Sequence, residues 1–109
     1  MRTEKDTMGE IKLPDDSYYG AQSKRAFQNF QISEIKLPKP MILAIAMVKK
    51  SAAIVNNQLG LLDSKIRDAI VTASNEVIKG KFDNQFIIDI YQTGSGTSSN
   101  MNANEIIAN

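Results

Sequence analysis

Two apolar repeats at helical spacing, joined by a short glycine-containing link, constrain this chain more than any other feature. Met41, Ala44, Ile45, Val48, Ala52, Val55 and Leu59 recur at steps of mostly three and four residues, the period of one helix face. Pro40 suits the first turn of that helix, where a missing N–H falls among donors that lack intrahelical partners anyway. Gly60 reads as the stop. Asp63 reads as the N-cap of a second helix, with Ile66, Ile70, Ala73 and Val77 on its buried face and Gly80 just past its end. Two helices so linked are expected to pack as an antiparallel hairpin. Ile42 and Ile54 lie outside the main stripe. One reading places them in a small internal core; the other leaves them on the surface, where they drive self-association.

The flanks of the hairpin are less regular. Residues 3–14 read as extended or as a short β-hairpin, and 14–17 as a turn built on Pro14 with Asp15 and Asp16, a solvated carboxylate pair. Residues 21–30 suit a short surface helix with Ala26, Phe27 and Phe30 as its apolar positions. The run 86–91, interrupted by Asp89, fits a buried strand or a tight connector equally well. Residues 105–109 begin a further helix. The expected fold class is mainly α, with a short extended or β N-terminal segment, then a helical hairpin and the start of another helix. At 109 residues the chain is expected to form one domain.

Composition removes several function classes. The net charge is +1, with no block of like charge, so there is no footprint for nucleic acid or an anionic membrane. The mainly apolar stretch 41–48 is too short to span a bilayer, and the charged residues 1–10 do not resemble a secretory signal. There is no Cys, hence no disulfide, thiolate nucleophile or Cys-type zinc site, and no metal site is expected. There is no His either, which removes the commonest general base at neutral pH.

The stretch QTGSGTSSNMN, residues 92–102, carries the most chemistry. Gly94 and Gly96 let a backbone turn sharply and approach a ligand closely. Thr97, Ser98 or Ser99 can cap the helix that follows. The first N–H groups of a helix lack intrahelical partners and its dipole favours negative charge, so such a turn can cradle a carboxylate or phosphate. Ser95, Thr97 and Asn100 would add side-chain hydrogen bonds. An ordinary capped loop explains the hydroxyls equally well without a ligand. A Walker-type phosphate loop is excluded because Thr97, not Lys, follows Gly96, and a dinucleotide fingerprint because Ser99 stands where a third glycine belongs. Asn100, Asn102 and Asn104 are poor interior helix formers, and their clustering indicates polarity on more than one face of that helix.

These residues also carry a resemblance. TGSGTSSNMNANEIIAN, residues 93–109, closely resembles the first signature region of class II fumarate hydratase, in the fumarase/aspartase superfamily. EKDTMGEIKLPDDSYYGAQSKRAFQNF, residues 4–30, is similar to the opening of the same family. The resemblance spans essentially the whole chain. Aspartases tend to carry Ala where Thr93 and Ser95 stand and Val where Ser99 stands, so the hydroxyl-rich version looks like fumarase. Aspartase or a related lyase is the alternative within the superfamily, and a non-catalytic, self-associating module the alternative outside it.

The resemblance implies reversible addition of water to fumarate, giving L-malate in the tricarboxylic acid cycle, without metal or organic cofactor. It matches Ser95, Gly96, Thr97 and Asn100 to substrate binding, and Gly94 to shaping the loop. Tyr19, Gln22 and Arg25 fall in a family motif with structural roles first, and nothing makes Glu105 a base. The family's other two signature regions, one with a Thr-His pair and one with a Gly-Ser-Ser loop, have no counterpart here. The expectation is therefore an N-terminal domain, residues 1–109, without the central helical-bundle and C-terminal domains and without catalytic residues of its own. The resemblance further implies a homotetramer of the full-length enzyme, in the cytoplasm or the mitochondrion.

Overall fold

The computed structural model describes residues 1–92 and 94–109. The described elements are β1 (Arg2–Asp6), β2 (Gly9–Leu13), α1 (Ala21–Asn29), α2 (Lys39–Gln58), α3 (Ser64–Ile78), a 3₁₀ turn at Asp83–Gln85, and α4 (Thr97–Ala108). The chain is mainly helical, with a two-stranded sheet at its start. It divides into two compact units, one formed by Met1–Leu37 with Asn84–Asn109 and the other by Pro38–Asp83.

In the first unit β1 and β2 pair antiparallel, with Arg2 opposite Leu13 and Asp6 opposite Gly9. The Asp6 carboxylate accepts the Met8 N–H at 2.8 Å, and Gly9 supplies the positive φ of 111° that the turn needs. Leu13 is fully buried at the end of β2. Arg2 then arranges the following turn. Its guanidinium donates to the carbonyls of Pro14, Asp15, Ser17 and Tyr19 at 2.7–3.2 Å. Arg25 on α1 donates to Asp6 and to the Gly9 carbonyl, fastening the helix to the strand turn. That guanidinium hydrogen bond is the main reason the Asp6 carboxyl titrates below its usual range.

Residues 86–92 form a connector and not a strand, touched by an isolated β-bridge between Lys36 and Asp89. Phe86 and Ile88 are buried along it. On α4 the residues Ser98, Ser99, Asn102, Ala103 and Ile106 face inward, at the spacing of one helix face.

In the second unit α2 and α3 form the expected hairpin. The Asp63 side chain accepts the Lys65 N–H at 3.1 Å, and Gly60 and Gly80 take positive φ just past the two helices. Asn57 secures the link by donating to the Leu62 carbonyl and Ser64 Oγ while accepting from Arg67 at 2.7 Å. The expected buried stripe of α2 is corrected. Met41, Val48, Val55 and Leu59 are each about half exposed or more, whereas Ile42, Ala46 and Ala53 are buried. Small alanines allow close approach on one side of an apolar helix, and the larger side chains are left on the other. On α3 Val77 is buried as expected, but Ile66 is exposed. Among the described residues no helix is long and apolar enough to cross a membrane.

Candidate carboxylate-binding site

The glycine-rich turn ends in α4. Gly94 and Gly96 have φ of 92° and 79°, in the left-handed region that costs other residues about 1–2 kcal/mol. A Cβ at either position would meet nothing within 4 Å, so the backbone twist, not crowding, calls for glycine here. Gly96 is the N-cap, and Thr97, Ser98 and Ser99 are the first three residues of the helix. The expectation that one of these hydroxyls is the cap is therefore overturned. An N-cap side chain must precede the N–H groups it accepts from, and these stand one to three positions too late.

The cap comes from upstream. Gln92 Oε1 accepts the Ser99 N–H at 3.1 Å, and Gln92 Nε2 donates to Ser99 Oγ at 3.0 Å and to the Asp89 carbonyl at 3.0 Å. Asp89, only 1% exposed, accepts from the backbone and hydroxyl of Ser33 and from Tyr91 N. Burial by itself would raise the Asp89 pKa. The donors from Tyr91 and Ser33 outweigh it, and the carboxyl lies below its ordinary value.

The matched residues gather on the outer side of this turn. Ser95 Oγ and Thr97 Oγ1 share a hydrogen bond of 2.8 Å. Ser95, Gly96, Thr97 and Asn100 are all exposed, and Asn100 follows Thr97 by three residues, on the same helix face. Thr97 and Ser98 stand at the first two helical positions, and their N–H groups have no acceptor among the described residues. The arrangement therefore offers two hydroxyls, backbone donors and the positive end of a helix dipole to an anion. Asn102 is different: it is buried, accepts the Ile87 N–H and donates to the Gln85 carbonyl, so it holds the connector against α4. The asparagines thus serve opposite faces of one helix.

Gln22 and Arg25 line a cavity together with Ser98 and Met101 of α4, but the hydrogen bonds of the Tyr19, Gln22 and Arg25 segment go elsewhere. Arg25 bonds Asp6, Gln22 N donates to Glu105, and Tyr19 is buried with its carbonyl on Arg2. Sequence reasoning missed Gln92, Asp89 and Glu105 as organisers of the site's frame. The signal available was a polar residue inside or beside an apolar run, as at Asp89 within 86–91. Thr93, one of the positions that separates the aspartase pattern, lies outside the described residues.

A family profile described as lyase matches residues 9–109. A class II fumarate hydratase of Campylobacter jejuni is 58% identical over 108 residues, covering 99% of this chain and 23% of that protein. An aspartate ammonia-lyase of a Bacillus species is 50% identical, covering 100% of this chain and 23% of that protein. The crystal structure of a Brucella melitensis protein described as fumarate lyase:delta crystallin superposes with a TM-score of 0.96 at 46% identity, over 100% of this chain and 25% of that one. The chain thus spans about a quarter of the length of the relatives it matches.

Proposed function

Because the chain belongs to the lyase family, we propose that it is the N-terminal domain of a class II fumarate hydratase and supplies part of the site that holds a substrate carboxylate. The reaction is reversible hydration of fumarate to L-malate in the tricarboxylic acid cycle. The observation that carries this reading is the hydroxyl pair Ser95 and Thr97 on the turn that opens α4, beside the Thr97 and Ser98 N–H groups, which have no acceptor among the described residues.

The chemistry follows from charge. Removing a proton from the carbon next to a carboxylate leaves an aci-carboxylate, in which extra negative charge builds on the carboxylate oxygens. Donors already in place stabilise that charge without reorganising. Ser95 Oγ, Thr97 Oγ1, the Thr97 N–H and the Asn100 side chain are the donors assigned here. The chain has no His, so the acid–base groups belong to other regions of the enzyme or to neighbouring subunits of a homotetramer. The isolated chain accordingly has no hydratase turnover. The proposed reaction uses no metal or organic cofactor, and the compartment is the cytoplasm, with the mitochondrion the alternative.

The test is a heteronuclear NMR titration of the chain with fumarate, L-malate, citrate and L-aspartate. Fumarate and L-malate are expected to shift resonances confined to residues 94–102. A well-dispersed spectrum with no fumarate-dependent shifts there would overturn the carboxylate assignment for this chain. The aspartate ammonia-lyase relative motivates one alternative, which stronger shifts with L-aspartate than with L-malate would favour.

A further inference from the structure

The turn that opens α4 has a glycine N-cap and therefore no local side chain to hold its first N–H groups. We propose that Gln92 is the positioning residue of the cradle: its amide clasps Ser99, seven positions on, and fixes the start of α4 to the connector while leaving the Thr97 and Ser98 N–H groups without acceptors among the described residues. The inference rests on the carboxylate reading above for what the loop binds, but the clasp itself rests on geometry alone.

The chemistry of the three hydrogen bonds fixes the orientation of the side chain. The Ser99 N–H can donate only to Oε1, and the Asp89 carbonyl can accept only from Nε2. With the amide turned this way, Nε2 also reaches Ser99 Oγ. One side chain thus grips both the backbone and the hydroxyl of a residue seven positions later. Glutamate would keep the acceptor but lose the donations from Nε2. Asparagine is one methylene shorter, and methionine has the length without the hydrogen bonds.

The clasp has a foundation. Asp89, whose carbonyl Gln92 holds, is tied through its carboxylate to Ser33 and Tyr91, and Ile90 N donates to the Ile35 carbonyl at 3.1 Å. The loop is therefore moored to the segment that follows α1. Gln92 takes up the third N–H of α4 and leaves those of Thr97 and Ser98 without acceptors among the described residues. Ordering a loop before a ligand arrives removes that entropy cost from binding.

Gln92→Met and Gln92→Glu in the 109-residue chain test the assignment, with amide exchange, ¹⁵N relaxation and fumarate as the probe. In Gln92→Met the Ser99 amide should exchange at least about tenfold faster, with lower order across 94–98, while the Ser23 amide keeps its wild-type rate as a monitor of the remaining fold. Fumarate should bind about fivefold more weakly, the loop now being ordered at the ligand's expense. Gln92→Glu should retain Ser99 protection, because its carboxylate still accepts, and that rescue identifies the acceptor. If Gln92→Met is poorly folded, Ser99→Ala, which deletes Oγ and keeps the N–H, should loosen 94–98 to a smaller degree. Unchanged Ser99 exchange in Gln92→Met, unchanged loop order in Ser99→Ala, or wild-type fumarate affinity despite a loosened loop would each overturn the proposal. If the wild-type chain binds no fumarate, the carboxylate reading fails, while exchange and relaxation still decide the clasp.

Discussion

The carboxylate of Glu105, on α4, accepts the backbone N–H groups of Gly20, Gln22 and Ser23 at 3.1, 3.2 and 2.8 Å, so the last helix caps the first. Gly20, the N-cap of α1, brings no side chain of its own. A Cβ there would lie 2.5 Å from Glu105 Oε2. The helix thus gives up a local cap to receive a charged one from a distant segment.

Glu105→Ala removes that acceptor and leaves three donors at a partly buried helix start. The expected cost is about 2–3 kcal/mol, read as a lower urea midpoint. Glu105→Gln should recover part of it, since one oxygen still accepts. Gly20→Ala should cost about 1–3 kcal/mol by forcing the carboxylate aside.

Asp89 makes stability depend on acid. Its folded pKa lies below the unfolded value, so its contribution is fully present above the unfolded value and is lost as pH falls through the folded one. The difference in stability between wild type and Asp89→Asn should be constant near neutrality and shrink below about pH 4. Urea unfolding of both proteins at pH 7 and pH 3 measures it. A difference that stays constant between those two values would contradict the assignment.

Gly96→Ala should destabilise the chain by about 1 kcal/mol through backbone strain alone, because its φ is 79° and the space beside it is open. Gly96→Asn should cost less, since Asn tolerates the left-handed region. Thermal unfolding separates the two.

Ser95→Ala and Thr97→Val, both exposed, should leave the unfolding midpoint within about 0.5 kcal/mol of wild type. Each should weaken fumarate binding in the NMR titration, because each deletes one donor of the proposed cradle.

Met41, Val48, Val55 and Leu59 put a row of apolar side chains on one face of α2. Val48→Lys with Val55→Glu should lower any concentration-dependent mass in light scattering and leave helicity unchanged. An unaltered mass would show that this face does not drive association.

The hairpin was legible in the sequence because helical spacing, Asp63, Gly60 and Gly80 are all local signals. The inward face of α2 was not. Ala46 and Ala53 bury themselves through close approach, which no hydropathy stripe reveals, while Met41 and Val48 look more like core. A β-hairpin is only one of the forms that residues 3–14 suggest, since the contacts that moor it, Arg2 to the following turn and Asp6 to Arg25, use side chains that read as solvent-facing charges. At the candidate site the glycines and hydroxyls were readable as a turn feeding a helix. The true cap was not, because Gln92 lies outside the residue types and positions that signal capping. Glu105 could not be paired with Ser23 from sequence, the two being 82 positions apart.

That separation gives the salt bridge between Lys39 and Asp83 a wider meaning. The two residues lie 3.5 Å apart at opposite ends of the helical hairpin. The hairpin is thus an excursion that returns the chain to where it departed. It draws on contiguous residues, which favours rapid formation. The unit made from Met1–Leu37 and Asn84–Asn109 depends instead on partners from both ends of the chain. Once the excursion has closed, the search between those ends runs over a much shorter effective tether, and each halving of it saves about 0.6 kcal/mol of closure entropy. During synthesis the cap of α1 is completed only after Glu105 has been made, later than every residue of the hairpin.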